Sequence, residues 1–166
     1  MPNPHNAPLI RTGHGYDVQR LAEGLPLVIG GVQIPHTRGC VAHSDGDVLV
    51  HAVCDALLGA AALGDIGLHF PDTDETYRGI DSLELLRRTV ALLHEAGYHI
   101  GNVDATLVLQ QPKIRPYIGR MREILAEAME IDAGQVSVKA TTSEGLGFEG
   151  RGEGVSAYAA ALIVEN

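Results

Sequence analysis

The order of apolar and polar residues predicts that the chain begins with β-structure. A strand-like run starts at Arg11, although Gly13 and Gly15 interrupt it. Glycine inside a strand often marks a bulge or the close approach of another group. The segment from Leu27 to Ile34 has the pattern of a hairpin, with Gly30-Gly31 as its two-residue turn. Two or three strands are therefore expected before the first helix.

Three later segments have the spacing of helices. The first is a long apolar segment that follows an acidic loop; Ser44 or Asp45 is a candidate for its N-cap, and Gly64 for its end. The second follows Asp81, where the sequence resembles a capping box. The third starts at Pro116, a residue favoured in the first turn of a helix.

The remaining apolar runs predict three more strands, from Tyr98 to Gln110, Val136 to Thr142 and Val155 to Val164. This order predicts an α/β (α+β) fold, a single-layer mixed β-sheet with helices on one face. Apolar residues on the other face of such a sheet would be exposed unless subunits pack there, which favours an oligomer. Residues 1–10 are predicted to be a mobile tail and residues 11–166 a single domain.

Composition and charge exclude several classes of partner. The formal net charge of −9 argues against binding to nucleic acid or to an anionic membrane surface. Cys40 and Cys54 are too few for a disulfide framework, and are expected to be reduced, buried thiols of a cytoplasmic protein. Neither a signal peptide nor a membrane span is expected from the pattern.

The segment from His43 to Asp74 holds the strongest indications of function. Asp47, His51 and Asp55 stand four residues apart, so on a helix they form one polar stripe among apolar neighbours. A buried charge without a partner is unfavourable, so a polar group is expected to face this stripe. Imidazole and carboxylate are normal ligands of a divalent transition metal, which makes His51 and Asp17 candidate ligands. Asp47 or Asp55 is expected to accept the other ring N–H.

A structural alternative exists for each of these groups. His51 and Asp17 can be a satisfied helix histidine and a turn aspartate. The His43-Ser44 pair can be an anion site near a helix start or part of an ordinary cap. Lys113 follows a strand and can reach a ligand or lie on the surface. Thr141 to Glu144 combine hydroxyls, free amides and a carboxylate, which suit phosphates with a bridging Mg²⁺. The whole set best suits metal-assisted phosphoryl chemistry.

Several motifs in one order carry a family resemblance. They are GHGYDV, IGGVQIP, AHSDGDVLVHAVCDALLGAAALGDIG, HFPDTD, GNVD, QQPK, KATTSEGLGF and GRGEG, and they span Gly13 to about Val164. On these motifs the sequence resembles the 2-C-methyl-D-erythritol 2,4-cyclodiphosphate synthase family. The resemblance implies a homotrimer with sheets facing the three-fold axis and active sites between subunits. It also implies an intramolecular reaction that converts 4-diphosphocytidyl-2-C-methyl-D-erythritol 2-phosphate to the cyclodiphosphate and CMP.

The same resemblance implies roles for individual residues. Asp17 and His51 would bind Zn²⁺ or another divalent transition metal, and Glu144 would hold Mg²⁺ or Mn²⁺ on the diphosphate. His43 and Thr142 would stabilise the transition state. The residues implied to contact substrate are Asp17, Val18, Gln19, His43, Ser44, Asp65, Ile66, Gly67, Phe70, Pro71, Asp72, Thr73, Asp74, Leu109, Gln110, Gln111, Pro112, Lys113, Ile114, Arg115, Ala140, Thr141, Thr142, Ser143, Glu144, Phe148 and Arg151. Those from Asp65 to Asp74 would hold the methylerythritol part, and Leu109 to Arg115 with Ala140 to Ser143 would form the cytidine pocket.

The sequence departs from the family pattern at one position. The family has Asp-x-His in the first strand, whereas this chain has Asp17-Val18-Gln19. The histidine would be the third zinc ligand, and an amide oxygen suits Ca²⁺ or Mg²⁺ better than Zn²⁺. A weakened zinc site completed by water, a different metal and a damaged enzyme are the three outcomes. Two other functions are therefore considered, a trimeric protein that binds a nucleotide or isoprenoid diphosphate without turnover and a general metal-dependent phosphohydrolase.

Overall fold

The structure, a computed structural model, describes residues 9–166. Most of the expected tail, residues 1–10, lies outside the described part, and Ile10 already pairs with Val164 in the sheet. The strands are β1 (Ile10–Glu23), β2 (Leu27–Ile29), β3 (Val32–Ile34), β4 (Arg38–Val41), β5 (Tyr98–Val108), β6 (Val136–Thr141) and β7 (Gly154–Glu165). The helices are α1 (Val48–Ala60), α2 (Ile66–His69), α3 (Ser82–Glu95), α4 (Ile118–Met129) and α5 (Gly147–Gly150). Single 3₁₀ turns occur at Glu75–Tyr77, Arg115–Tyr117 and Ala133–Gln135.

Within the described residues, five strands form one mixed sheet in the order β4-β1-β7-β5-β6. The pair β5 and β6 is parallel, and the other neighbours are antiparallel. The strands β2 and β3 form the predicted hairpin as a separate two-stranded sheet, with Gly30 and Gly31 at its turn. The predicted α/β fold with a mixed sheet is confirmed.

The long helices pack over one face of this sheet around an aliphatic core. Helix α1 is almost completely buried and lies across β1 and β7. Its approach to β1 is possible because Gly13 and Gly15 have no side chain. A Cβ at Gly15 would lie 1.9 Å from the carbonyl oxygen of Ala52, and one at Gly13 would lie 2.0 Å from that of Ala56. The glycines in the first strand therefore mark the close approach that the sequence predicts.

The other face of the sheet carries exposed apolar side chains. Tyr16, Val18 and Tyr158 on β1 and β7 are 44%, 43% and 43% exposed, respectively. The rings of Tyr16 and Tyr158 contact each other with centroids 5.1 Å apart. These neighbouring side chains form one exposed apolar surface on this face of the sheet.

Several local predictions are wrong. Helix α1 is capped by Asp47 and not by Ser44 or Asp45, because Asp47 accepts a hydrogen bond from the backbone N–H of Val50. The helix also ends at Ala60, before Gly64. The short strand β4 and the one-turn helices α2 and α5 were not predicted. Such elements are too short to show a period in the sequence.

Among residues 9–166, no helix combines the length and apolar character that crossing a bilayer requires.

Candidate active site

Asp17 and His51 face each other across the contact between β1 and α1. The Oδ2 of Asp17 lies 3.2 Å from the Nδ1 of His51, although 34 positions separate the residues. Both are largely shielded, with side chains 25% and 11% exposed. The close packing at Gly13 and Gly15 brings the strand and the helix near enough for this contact. A carboxylate oxygen and an imidazole nitrogen thus converge on one point.

Gln19 lies on the same side of β1 as Asp17. Its Nε2 donates a hydrogen bond of 2.8 Å to the Oδ2 of Asp17, the same atom that faces His51. Within residues 9–166, no group of three or more His, Cys, Asp or Glu side chains is placed to hold a metal ion. The donors at this point are therefore one carboxylate, one imidazole and one amide.

The other ring nitrogen of His51 points to a serine that the sequence did not indicate. Its Nε2 lies 2.9 Å from the Oγ of Ser82 and 3.3 Å from the Oγ of Ser44. Ser82 is the first residue of α3 and is completely buried. Its hydroxyl donates a short hydrogen bond to Asp45, whose second oxygen accepts the Ser82 backbone N–H at 3.0 Å. The capping-box pattern at Asp81-Ser82 was the only available signal for this position.

The expectation that Asp47 or Asp55 supports His51 is wrong. Asp47 accepts the backbone N–H groups of Gly30 at 2.9 Å, Gly31 at 2.7 Å and Val50 at 3.1 Å. It therefore ties the β2–β3 hairpin to the start of α1. Asp55 accepts the backbone N–H of Ile66 at 2.8 Å and so fixes the start of α2. Both carboxylates have backbone partners, which is why the polar stripe is tolerated on a buried helix.

Burial and nearby carboxylates act in opposite directions on His51. Burial lowers the pKa of the ring, whereas the hydrogen bond to Asp17 and the charges of Asp17, Asp47 and Asp45 raise it, and the net change in pKa is upward. Burial also raises the pKa of Asp47 to about 6, although its three backbone hydrogen bonds favour the ionised form. The surroundings of the Asp17–His51 pair therefore favour positive charge.

A cavity of about 580 Å³ opens beside His51. It brings together many of the residues expected to hold substrate: Gln19, His43, Ser44, Ile66, Gly67, Phe70, Pro71, Asp72 and Thr73. His43 is fixed at its rim, because its Nε2 lies 3.1 Å from the backbone oxygen of Asp74. Asp65 caps α2 by accepting the backbone N–H of Leu68 at 2.9 Å. We call this space the histidine cavity.

A second cavity of about 690 Å³ lies at the ends of β5 and β6. The predicted residues that line it are Leu109, Gln110, Pro112, Lys113, Ile114, Arg115, Ala140, Thr141 and Thr142. Among residues 9–166, the linings of this cavity and of the histidine cavity share no residue. One chain therefore carries the two groups of predicted substrate residues in separate places. We call this second space the strand-end cavity.

The loop after β6 lies next to the strand-end cavity. Its Gly145 N–H donates to the side chain of Gln110 at 3.4 Å, and the Oγ1 of Thr142 accepts the Glu144 N–H at 3.2 Å. Glu144 is exposed and has a φ of 58°, which is unfavourable for a residue with a side chain. Arg151 pairs with Glu153 at 2.8 Å and, with Gln111, lines a third cavity of about 390 Å³. The remaining predicted residues of this loop are Ser143, whose hydroxyl donates to the Leu146 carbonyl at 2.6 Å, and the half-buried Phe148.

Comparison with known proteins gives consistent results. Residues 10–164 match the YgbB family. A protein of Azotobacter vinelandii named 2-C-methyl-D-erythritol 2,4-cyclodiphosphate synthase is 61% identical over 155 residues, which are 93% of this chain and 99% of that protein. A protein of the same name from Thioalkalivibrio sulfidiphilus is 62% identical over 154 residues, 93% of this chain and 96% of its own. The structure of IspF from Plasmodium falciparum in complex with CDP superimposes with a TM-score of 0.83 at 34% identity, covering 95% of this chain and 97% of that chain.

Proposed function

The chain belongs to the YgbB family, and on that premise we propose that it is an enzyme that forms 2-C-methyl-D-erythritol 2,4-cyclodiphosphate. The substrate is 4-diphosphocytidyl-2-C-methyl-D-erythritol 2-phosphate. An oxygen of the 2-phosphate attacks the β-phosphorus of the diphosphate, the bond from that phosphorus to the bridging oxygen breaks, and CMP leaves with that oxygen. The observation that carries the proposal is identity of about 60% to synthases of that name over more than nine-tenths of the chain.

This reaction needs no nucleophile from the protein, because the attacking oxygen belongs to the substrate. The contribution of the protein is to hold two phosphates in line and to stabilise the charge that develops between them. His43 and Ser44 line the histidine cavity and would contact phosphate oxygens there. Thr142 at the end of β6 would stabilise the transition state from the side of the strand-end cavity. Catalysis would therefore depend on prearranged polar groups.

The donors at the Asp17–His51 pair fit a divalent cation. An acidic oxygen and a ring nitrogen 3.2 Å apart lie in surroundings that favour positive charge. We propose that Asp17 and His51 would hold Zn²⁺ or another divalent transition metal, with the Gln19 amide beside them. Glu144 would hold Mg²⁺ or Mn²⁺ on the diphosphate. Bound there, such cations neutralise phosphate charge and polarise the attacked phosphoryl group.

A homotrimer would explain why the substrate residues of one chain lie in two places. The strand-end cavity has the size and the polar strand-end groups that suit a cytidine nucleotide. The histidine cavity suits the methylerythritol part and its phosphates. If the exposed face at Tyr16, Val18 and Tyr158 packs around a three-fold axis, the strand-end cavity of one subunit can face the histidine cavity of the next. The complete active site would then lie between subunits.

Release of CMP with metals added back singly and in pairs is the decisive assay. Metal-stripped protein is supplied with the cytidylyl substrate and with Zn²⁺, Mg²⁺, Mn²⁺ or pairs of these ions. The expected result is metal-dependent formation of CMP and the cyclic diphosphate in equal amounts. Release of inorganic phosphate would indicate a phosphohydrolase. Calorimetric binding of CDP, together with no product from the cytidylyl substrate, would indicate a binding protein. Either result would overturn the proposed reaction.

A further inference from the structure

The hydroxyl of Ser82 stands between His51 and Asp45. The Nε2 of His51 is 2.9 Å from the Ser82 Oγ, and that hydroxyl is hydrogen-bonded to Asp45 Oδ1. His51 and Ser82 are, as whole residues, 9% and 0% exposed, so water has little access to this contact. Neither Ser82 nor Asp45 belongs to the substrate or metal residues proposed above. Both lie behind the ring, on the side away from Asp17.

Asp45 is itself held in one place. Its backbone N–H donates to the carbonyl of Ile80 at 3.2 Å. Its Oδ1 also accepts the backbone N–H of Asp47 at 3.1 Å, and its Oδ2 accepts that of Ser82 at 3.0 Å. The carboxylate therefore joins the loop before α1 to the first turn of α3. It forms a fixed acceptor for the Ser82 hydroxyl.

The direction of these hydrogen bonds follows from the groups present. A hydroxyl has one proton to donate, and an ionised carboxylate can only accept. Ser82 therefore donates its hydroxyl proton to Asp45, and its oxygen can accept a hydrogen bond from His51. A ring that hydrogen-bonds to this oxygen donates from Nε2. In the neutral ring this places the lone pair on Nδ1, the atom 3.2 Å from Asp17.

We propose that Asp45 and Ser82 are positioning residues that fix the His51 tautomer, with Nδ1 free to bind a divalent cation together with Asp17. The proposal rests on the proposed function for the identity of the bound group. Ligand histidines commonly donate their second N–H to a fixed partner, and loss of that partner lowers metal affinity about 10- to 100-fold. Ser44, at 3.3 Å, is a weaker second contact for the same nitrogen.

The test compares substitutions of two buried hydroxyls on α3. Ser82→Ala removes the acceptor of the His51 N–H. Thr89→Val removes a hydroxyl that is equally buried, seven residues further along the helix, and is the matched control. Ser82→Thr keeps the hydroxyl and is the conservative rescue. Asp45→Ala, alone and combined with Ser82→Ala, tests whether Asp45 acts through Ser82.

Three measurements separate positioning from stability. Long-range ¹H–¹⁵N NMR of the neutral His51 ring reports which nitrogen carries the proton, and competition with a chromophoric chelator gives the Zn²⁺ Kd. Urea unfolding gives the stability of each variant. We expect Ser82→Ala to mix the tautomers and to weaken Zn²⁺ binding about 10- to 100-fold. Thr89→Val should change neither, and Ser82→Thr should restore most of the affinity.

The single variant Asp45→Ala keeps the proposal testable if Ser82→Ala fails to fold. Asp45→Ala should mix the tautomers, and the double variant should bind Zn²⁺ no more weakly than Ser82→Ala. An Nε2-protonated ring and an unchanged Zn²⁺ Kd in the folded variants would overturn the proposal. The tautomer can be read without metal, so weak Zn²⁺ binding by the unmodified chain leaves the test intact. Turnover of the unmodified chain is assayed separately, so its absence would count against the reaction and not against the hydrogen-bond direction.

Discussion

Substitution of Gly15 by alanine tests whether the packing of α1 on β1 sets the geometry of the candidate metal pair. Gly15 is buried on β1, two residues before Asp17, and it lies against Ala52, the neighbour of His51 on α1. An added Cβ would be 1.9 Å from the Ala52 carbonyl oxygen and 2.8 Å from the backbone nitrogen of Ala56. Both nearest atoms belong to the backbone, so no side chain can rotate away to make room.

The size of the effect follows from these distances. Ordinary contact begins at 3.4 Å, so the methyl group is about 1.5 Å too close to the Ala52 oxygen. Relief requires a shift of α1 away from β1 of similar size, which would break the 3.2 Å contact between Asp17 and His51. Overpacking in a core typically costs about 1–3 kcal/mol, and backbone contacts place this change at about 3 kcal/mol. For a chain of this length that lowers Tm by about 6–12 °C.

Urea unfolding and Zn²⁺ titration are both needed to check this prediction. Gly15→Ala should lose stability and Zn²⁺ affinity together. The control is Gly119→Ala on the exposed surface of α4, where an added Cβ meets no atom within 4 Å. It should gain about 0.5–1 kcal/mol from better helix propensity and keep its Zn²⁺ affinity. Surface changes typically alter the free energy of unfolding by about 0.5 kcal/mol or less. A change this small in Gly15→Ala would refute the packing argument. Lost stability with unchanged Zn²⁺ affinity would refute the link to the site.

Other positions give independent tests. Glu144→Gly relieves a φ of 58° and should raise the free energy of unfolding by up to about 1 kcal/mol while CMP release falls. The control is Glu130→Gly, at the C-cap of α4, where φ is 59°. It should give the same gain in stability with normal CMP release. Equal CMP release by both variants would remove Glu144 from the proposed mechanism. Gln19→His should raise Zn²⁺ affinity at least about tenfold in equilibrium dialysis, because imidazole is a better zinc ligand than an amide. Equal Zn²⁺ occupancy in the variant and the unmodified protein would show that the glutamine does not weaken zinc binding. Asp47→Asn should lower the free energy of unfolding by about 1–3 kcal/mol, because an amide cannot accept all three buried N–H groups. An unchanged urea midpoint would contradict that reading of the cap.

Much of the fold was predictable because its long elements have clear periods. The segment around His51 is apolar enough to predict a buried helix, and the glycines near Asp17 predict the close approach of another element. The partners of the polar stripe were not predictable in the same way. Asp47 accepts the backbone N–H groups of Gly30 and Gly31, which lie 17 and 16 residues earlier in the sequence. Only the packing of that hairpin on α1 brings these groups together.

The same limit applies to the N-cap and to the residue behind His51. Ser44, Asp45 and Asp47 are all residue types that cap helices well, so local preference cannot choose among them. The carboxylate of Asp45 accepts the backbone N–H of Ser82 at the start of α3, and Asp47 caps α1. Ser82 lies in a segment whose sequence predicts a helix start. That pattern gives no indication of its contact with the His51 imidazole.

The arrangement around His51 is suited to a reaction in which the substrate supplies its own nucleophile. Asp17 is fixed by the register of β1 on β7, His51 by the helix on that sheet, and Ser82 by the start of α3. Groups held by backbone elements need little reorganisation when charge develops, which is the condition for strong electrostatic catalysis. The strand-end cavity lies elsewhere on the same chain. Bringing these two parts together requires movement within the chain or a second copy of it. The homotrimer proposed above would bring the two parts together and leave the sheet that carries both intact.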